Sequence, residues 1–324
     1  MKRREFLKAA IGGSAALCAP VVAEARPNLE PAEDAVGMLF DSTLCVWCKA
    51  CVAKCKAVNG MPPVMQKGNE QWDSARDLSG DTLNVIKIYK DGKGEVKDRE
   101  KDGFCFEKRS CMHCVDPGCV SACPCSAMRQ DKRTGIVTHH PEACIGCRNC
   151  MVACPYNVPQ FEYNKVFGEI HKCQMCNQAG VERIDKGLIT GCAEVCPTGA
   201  TLFGTRKALL AEAKRRMKLK AGDVYQYPRG DVSRPTSRHE KKIPEYNNHI
   251  WGEKEAGGTS VMHISAVSFD KLGMPPLGER SAASIAEGVQ HTLYSYLALP
   301  AIALAGLAYV VHRNTGDDDE GDQS

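Results

Sequence analysis

The chain has little net charge for its length: 42 Lys and Arg stand against 39 Asp and Glu, leaving +3 over 324 residues. Its basic residues are scattered and not gathered into one stripe, so the electrostatic footprint of a nucleic-acid binder is missing. The glycine fingerprint of a dinucleotide site is missing too, which leaves no sequence signal for a nucleotide redox cofactor. Clear periodicity is absent from 220–290, a stretch rich in Gly, Pro and polar residues, and it reads as an irregular extension. Hydrophobic residues make up 43%, enough to bury a core in one large or two small domains. Cysteine is plentiful, with 19 residues in a chain too long for a typical disulfide-stapled mini-domain. The cysteines therefore have to be read by spacing.

Four runs emerge. Cys45, Cys48, Cys51 and Cys55 give C-x2-C-x2-C-x3-C, and Cys144, Cys147, Cys150 and Cys154 repeat it with Pro155 following. Cys111, Cys114, Cys119 and Cys123 form a looser version before Pro124, and Cys173, Cys176, Cys192 and Cys196 another before Pro197. These are bacterial ferredoxin spacings. A [4Fe-4S] cube needs four thiolates, and one tight loop supplies three of them. The fourth cysteine of a run serves a neighbouring cube, so motifs work in pairs and four motifs predict four [4Fe-4S] clusters. Lys56 stands where the other motifs have proline. Structural zinc also uses C-x2-C knuckles, but seldom this run twice in one chain. Cysteines so densely spaced also make poor disulfide staples. Cys18, Cys105 and Cys125 are left over, and the last two read as buried or spare thiols. Trp47, Met112, His113 and Met175 lie inside the motifs as packing residues.

Both ends read as addresses. Arg3-Arg4-Glu5-Phe6-Leu7-Lys8, a modest apolar run and Ala23-Glu24-Ala25 make 1–25 a twin-arginine signal peptide, a route for proteins exported folded with cofactor inserted. Cys18 leaves with it. At the other end Thr292 to Val311 carries no charge and, at about 1.5 Å per residue, spans roughly 30 Å, the thickness of a bilayer core. Tyr294, Tyr296 and Tyr309 suit the interfaces, and Pro300 predicts a kink. This makes 291–312 a single-pass transmembrane anchor, bracketed by His291 and His312, and 313–324 an acidic cytoplasmic tail.

Between these ends, Val85 to Tyr89 alternates like a strand and Asp91 to Gly94 supplies turn residues before Phe104 to Phe106, which predicts a β-hairpin. Met128 to Thr138 repeats this around a turn at Asp131 to Gly135, and Ala200 to Phe203 reads as a short strand. Leu209, Leu210, Ala213 and Met217 recur at helical spacing among basic residues, predicting an amphipathic helix.

With these runs, the chain resembles the ferredoxin subunits that serve membrane oxidoreductases, and within them the periplasmic ferredoxin subunit of membrane-bound nickel-iron uptake hydrogenases of the hydrogenase 2 type. The resemblance is carried by Asp41-Ser42-Thr43-Leu44-Cys45, Cys111-Met112-His113-Cys114-Val115-Asp116-Pro117, Cys150-Met151-Val152-Ala153-Cys154-Pro155-Tyr156-Asn157-Val158-Pro159, Gly180-Val181-Glu182-Arg183 and Gln290-His291-Thr292-Leu293-Tyr294. It implies nested exchange of last cysteines. One cluster takes Cys45, Cys48, Cys51 and Cys196, and its neighbour Cys173, Cys176, Cys192 and Cys55. The inner pair takes Cys111, Cys114, Cys119 and Cys154 for one, and Cys144, Cys147, Cys150 and Cys123 for the other.

The resemblance further implies electron transfer from a hydrogenase small subunit, itself joined to a large subunit, to an integral membrane quinone-reducing partner, on the periplasmic face of a bacterial inner membrane. No nickel-site motif is present, so the chain conducts electrons and is not itself an enzyme. The expected fold is α+β, with duplicated bacterial-ferredoxin-like units in 26–204, a helix plus polar, irregular extension in 205–290, and the anchor. The rivals are an iron-sulfur subunit of a molybdenum enzyme such as formate dehydrogenase, and a structural zinc scaffold.

Overall fold

The computed structural model describes residues 25–63 and 75–315. The twin-arginine segment with Cys18, and all of the acidic tail beyond residue 315, lie outside them. The chain divides into two units: Asn28–Ala283, and the terminal segments on either side of it.

In the first unit, twelve strands and five helices are described: β1 (Val36–Asp41), α1 (Ala50–Val58), β2 (Val85–Lys90), β3 (Val96–Lys97), β4 (Gly103–Arg109), α2 (Gly118–Ser121), β5 (Met128–Gln130), β6 (Val137–His139), α3 (Asn149–Val152), β7 (Gln160–Phe161), β8 (Ile170–His171), α4 (Gly191–Glu194), β9 (Thr201–Thr205), α5 (Arg206–Lys218), β10 (Val224–Asp231), β11 (Pro235–Lys242) and β12 (Val261–Ile264). A five-stranded sheet runs β11-β10-β9-β1-β12. Around it lie a three-stranded sheet ordered β2-β4-β3 and two hairpins, β5-β6 and β7-β8.

Strand β1 is the pivot. It pairs antiparallel with β9 and parallel with β12, so both of its edges are paired. Alternation then divides its side chains. Leu39 joins Leu209 and Ala213 of α5 with Met262 and Ile264 of β12. Met38 and Phe40 point the other way, into a core shared with Cys45, Cys51, Cys192 and Cys196. The approach of β12 is close enough that a Cβ on Gly37 would collide with the carbonyl of Ser260.

The hairpin read from Val85 to Phe106 is present as β2 against β4, with Ile88 opposite Phe106 and β3 added along the far edge of β4. The second hairpin is β5-β6, its turn closed by Asp131, whose carboxylate accepts from the backbone N–H of Arg133 and Thr134. Helix α5 matches its periodicity: Leu209, Ala213 and Arg216 are buried one turn apart, and the Thr205 hydroxyl caps the first turn by accepting from Ala208 N at 3.3 Å.

One expectation is corrected. The stretch 220–290 is not an irregular extension. It supplies the β10-β11 hairpin and β12, both in the main sheet. Its strands escape notice for two physical reasons. β11 alternates among mainly polar side chains at a sheet edge, and β12 is four residues buried on both faces, so it carries no alternation.

In the second unit, helix α6 (Ala282–Thr315) contains Pro300 and is long and apolar enough, by length and composition, to cross a membrane. Leu293, Leu297, Ile302, Leu304, Leu307 and Val310 are all exposed, which a soluble core helix would not permit. At its start Ser284 donates to the carbonyl of Arg26 at 2.6 Å, and Arg26 pairs with Glu287.

Candidate metal-cluster site

The sixteen motif cysteines come together in four groups of four. In the first, burial pushes the Cys45 thiol up to about 12, and the nearby Cys51 and Cys196 add to the effect. Burial does the same for Cys51, also to about 12, with Cys192, Cys196 and Cys48 raising it further. Cys45, Cys48, Cys51 and Cys196 line one cavity beneath Phe40 and Thr201. Cys55, Cys173, Cys176 and Cys192 line a second, with Met38, Asn84 and Lys108. In the third group burial holds Cys114 far above the ordinary thiol range, reinforced by Cys111, Cys119 and Cys154. In the fourth, burial lifts Cys150 to about 11, followed by Cys144, Cys123 and Cys147.

Three cysteines of each group come from one stretch of chain and the fourth from another. Thus Cys196 at the end of α4 closes the group begun by Cys45, and Cys55 in α1 closes the one begun by Cys173. The groups also lie within electrostatic reach of one another in series. Cys51 feels Cys192, Cys173 feels Cys111, and Cys119 feels Cys150. Among the described residues, Cys48 in one terminal group and Cys147 in the other are the two exposed cysteines.

Loop backbones explain how the thiols converge. Trp47, Lys49, His113, Arg148, Met175 and Cys176 all have φ between +45° and +64°, uncommon for residues with a side chain, and Gly146 has φ +69°. Left-handed residues among ordinary ones turn consecutive N–H groups to one side, making the concave nest that suits anionic sulfur clusters. Strain of this kind persists only where the surroundings enforce it. Further N–H groups already point at sulfur: Ala127 N lies 3.2 Å and Met128 N 3.4 Å from Cys123 Sγ, and Thr201 N lies 3.5 Å from Cys196 Sγ.

The donor set fits an iron-sulfur cube. Thiols raised this far by burial and mutual repulsion cannot all ionise alone, and bound cations would reverse that balance. Among the described residues no three His, Cys, Asp or Glu side chains converge on a point where one metal ion could sit. In the first two groups the thiols instead surround voids, as ligands to separate irons of a cube would.

Cys105 belongs to none of these groups. It is fully buried, its Sγ 3.7 Å from Ser265 Oγ, and burial pushes its pKa up to about 12. Cys125 lies 3.8 Å from Cys123, sulfur to sulfur. The spacing signal did not single out Lys108, a charged residue in a strand whose neighbours Cys105 and Phe106 are buried. Arg216 was also missed, since a basic residue on an amphipathic helix ordinarily faces solvent.

These features define the chain as a [4Fe-4S] protein with a ferredoxin-like domain, and residues 103–206 match the 4Fe-4S dicluster domain. It is 49% identical to the hydrogenase-2 operon protein HybA of Escherichia coli O157:H7, over 98% of this chain and 97% of that one. The chain belongs to the HybA family. It is also 33% identical to a protein of Nitratidesulfovibrio vulgaris, over 96% of this chain and 77% of the relative. The iron-sulfur subunit of the nitrate-inducible formate dehydrogenase of Escherichia coli K12 is 36% identical, over 57% of this chain and 60% of its own length.

Proposed function

We propose that this chain is a non-catalytic electron relay that carries four [4Fe-4S] clusters between a hydrogenase and a quinone-reducing membrane subunit. The observation that carries the reading is the serial arrangement of four cysteine groups with one exposed thiol at each end. Each bound cluster would supply a centre that takes up and passes on one electron without making or breaking a covalent bond in a substrate.

The residues of the chain do the rest. Cys45, Cys48, Cys51 and Cys196 would hold the first cluster, and Cys55, Cys173, Cys176 and Cys192 the second. Cys111, Cys114, Cys119 and Cys154 would hold the third, and Cys123, Cys144, Cys147 and Cys150 the fourth. Met38 lies 3.5 Å from Cys192, sulfur to sulfur, and helps to exclude water there. Backbone N–H groups directed at sulfur favour the more negative state, and burial opposes it, so these two features of the loops set the potentials. Loops closed from both ends by distant parts of the chain keep the sites rigid, which limits the rearrangement that accompanies each change of charge.

The exposed thiols at Cys48 and Cys147 mark the ends at which electrons enter and leave. Likeness to HybA over nearly the whole chain supports a hydrogenase small subunit, with its large subunit, as donor. The apolar helix α6 supports a membrane anchor, and the twin-arginine leader supports export of the folded protein to the periplasmic face of the inner membrane. Likeness to a formate dehydrogenase subunit favours a second reading, service to a molybdenum enzyme, but over little more than half of the chain.

Metal analysis of anaerobically purified full-length protein tests the cluster count. About sixteen irons with matching sulfide, and a paramagnetic signal after dithionite, are expected. A colourless protein with about four zinc ions would refute it. Membrane complexes isolated through this chain should contain nickel; molybdenum in its place would favour the second reading.

A further inference from the structure

Lys108 is buried to 2% exposure at the end of β4. Its ammonium lies 3.5 Å from Thr201 Oγ1, and Thr201 lines the cavity of Cys45, Cys48, Cys51 and Cys196. Lys108 itself lines the adjoining cavity of Cys55, Cys173, Cys176 and Cys192. Among the described residues no carboxylate pairs with it. Its neighbours across that cavity are the sulfurs of Cys55, Cys173, Cys176 and Cys192.

A lone ammonium in so dry a place costs several kcal/mol unless negative charge sits beside it. Four thiolates around a cube with a 2+ core would give each site a net charge of about −2, and one added electron makes it more negative. We infer that Lys108 is a fixed counter-charge shared by the first two clusters, holding the reduction potentials of both above those they would have without it. Charge acts at a distance without touching iron, so Lys108 is a tuning residue and not a ligand. Lys56 and Lys172 are also buried near the cysteines, and Lys172 lies beside the third group. It donates to the carbonyls of Val137 and Cys173, and it offsets part of the rise that burial imposes on the Cys119 thiol.

This inference rests on the four-cluster reading, which is checked first by the iron content of the unaltered protein. Fewer than about sixteen irons there would defeat that reading before Lys108 is tested. Given the full count, Lys108→Met and Lys108→Arg are compared with the unaltered chain in the intact membrane complex by redox titration followed by electron paramagnetic resonance. In Lys108→Met two of the four signals should show at least about a tenfold lower reduced-to-oxidised ratio at fixed ambient potential, which is a fall of about 59 mV for one electron. The other two should stay in place, and Lys108→Arg should restore most of the shift. Four unmoved potentials, four equally moved, or no rescue by arginine would overturn the inference. If Lys108→Met loses iron, full iron with near-native potentials in Lys108→Arg still supports a need for charge. Loss of iron in both refutes it.

Discussion

Replacing Arg216 by methionine should be the most damaging change made away from the cysteines. Its guanidinium is fully buried on α5, with Nη1 2.8 Å from Asp41 Oδ2 and Nε 2.9 Å from Glu212 Oε1. Asp41 accepts also from Tyr246 OH at 2.7 Å, and its other oxygen takes the Thr43 N–H at 3.1 Å and the Thr43 hydroxyl. Asp41 thus ties the end of β1 to the loop that presents Cys45. Methionine fills much of the volume but leaves the buried Asp41 carboxylate without its cation, and leaves Glu212 with only the half-exposed Arg215 as its cation. Breaking a buried pair from one side costs about 3–5 kcal/mol, most of it the desolvation of the abandoned charge. In a domain of this size 1 kcal/mol moves the melting midpoint by about 2–4 °C, so a fall of roughly 6–20 °C is expected. The assay is loss of visible cluster absorbance on heating, at one scan rate, since unfolding with loss of iron is irreversible. Replacing all three charges together, as Asp41→Asn, Glu212→Gln and Arg216→Met, should recover part of the loss, because no charge is then stranded. A midpoint for Arg216→Met within about 2 °C of the unaltered chain would refute the reasoning.

Two further outcomes are expected. Cys45→Ser should damage one cluster and block transfer to quinone while leaving hydrogen oxidation with an artificial acceptor largely intact in the isolated complex; loss of both would contradict the relay. His139 gives a pH signature. Burial, with the nearby Lys172, His171 and His140 adding to it, lowers its pKa from 6.5 to about 4. Its contribution is complete above the unfolded value. As pH falls through the window from 6.5 to about 4, the unfolded chain takes up a proton that the folded chain refuses, and stability drops. Between pH 6.5 and 5 the loss is roughly 2 kcal/mol. His139→Gln should flatten that part of the melting-versus-pH curve, and an unchanged slope would show that His139 is not its source.

How far the sequence speaks depends on how local each feature is. Cys144, Cys147 and Cys150 sit in one loop, so their spacing alone announces a shared site, and the same holds for Cys45, Cys48 and Cys51. The β2-β4 and β5-β6 hairpins were legible because alternation and turn residues lie side by side in the chain. Helix α5 was legible from its repeat of apolar residues. The spacing of the runs left open which cysteine closes which group; only likeness to a family supplied a pairing, because Cys196 reaches Cys45 through the packing of β9 on β1. The strands β10, β11 and β12 were missed since their pairing is a property of backbone neighbours and not of side-chain pattern.

The sequence by itself therefore determined the chemistry: thiols in ferredoxin runs, an apolar stretch long enough to cross a bilayer, and paired arginines at positions 3 and 4. Only the tertiary structure brought Cys196 to the cavity of Cys45 and Cys55 to that of Cys173, and decided where charge is buried among them. Arg216 and Asp41 are 175 residues apart and meet at 2.8 Å. Lys108 becomes a lone charge between two cavities only once β4 lies across them. Burial and distance belong to the folded chain, and a one-dimensional pattern carries neither.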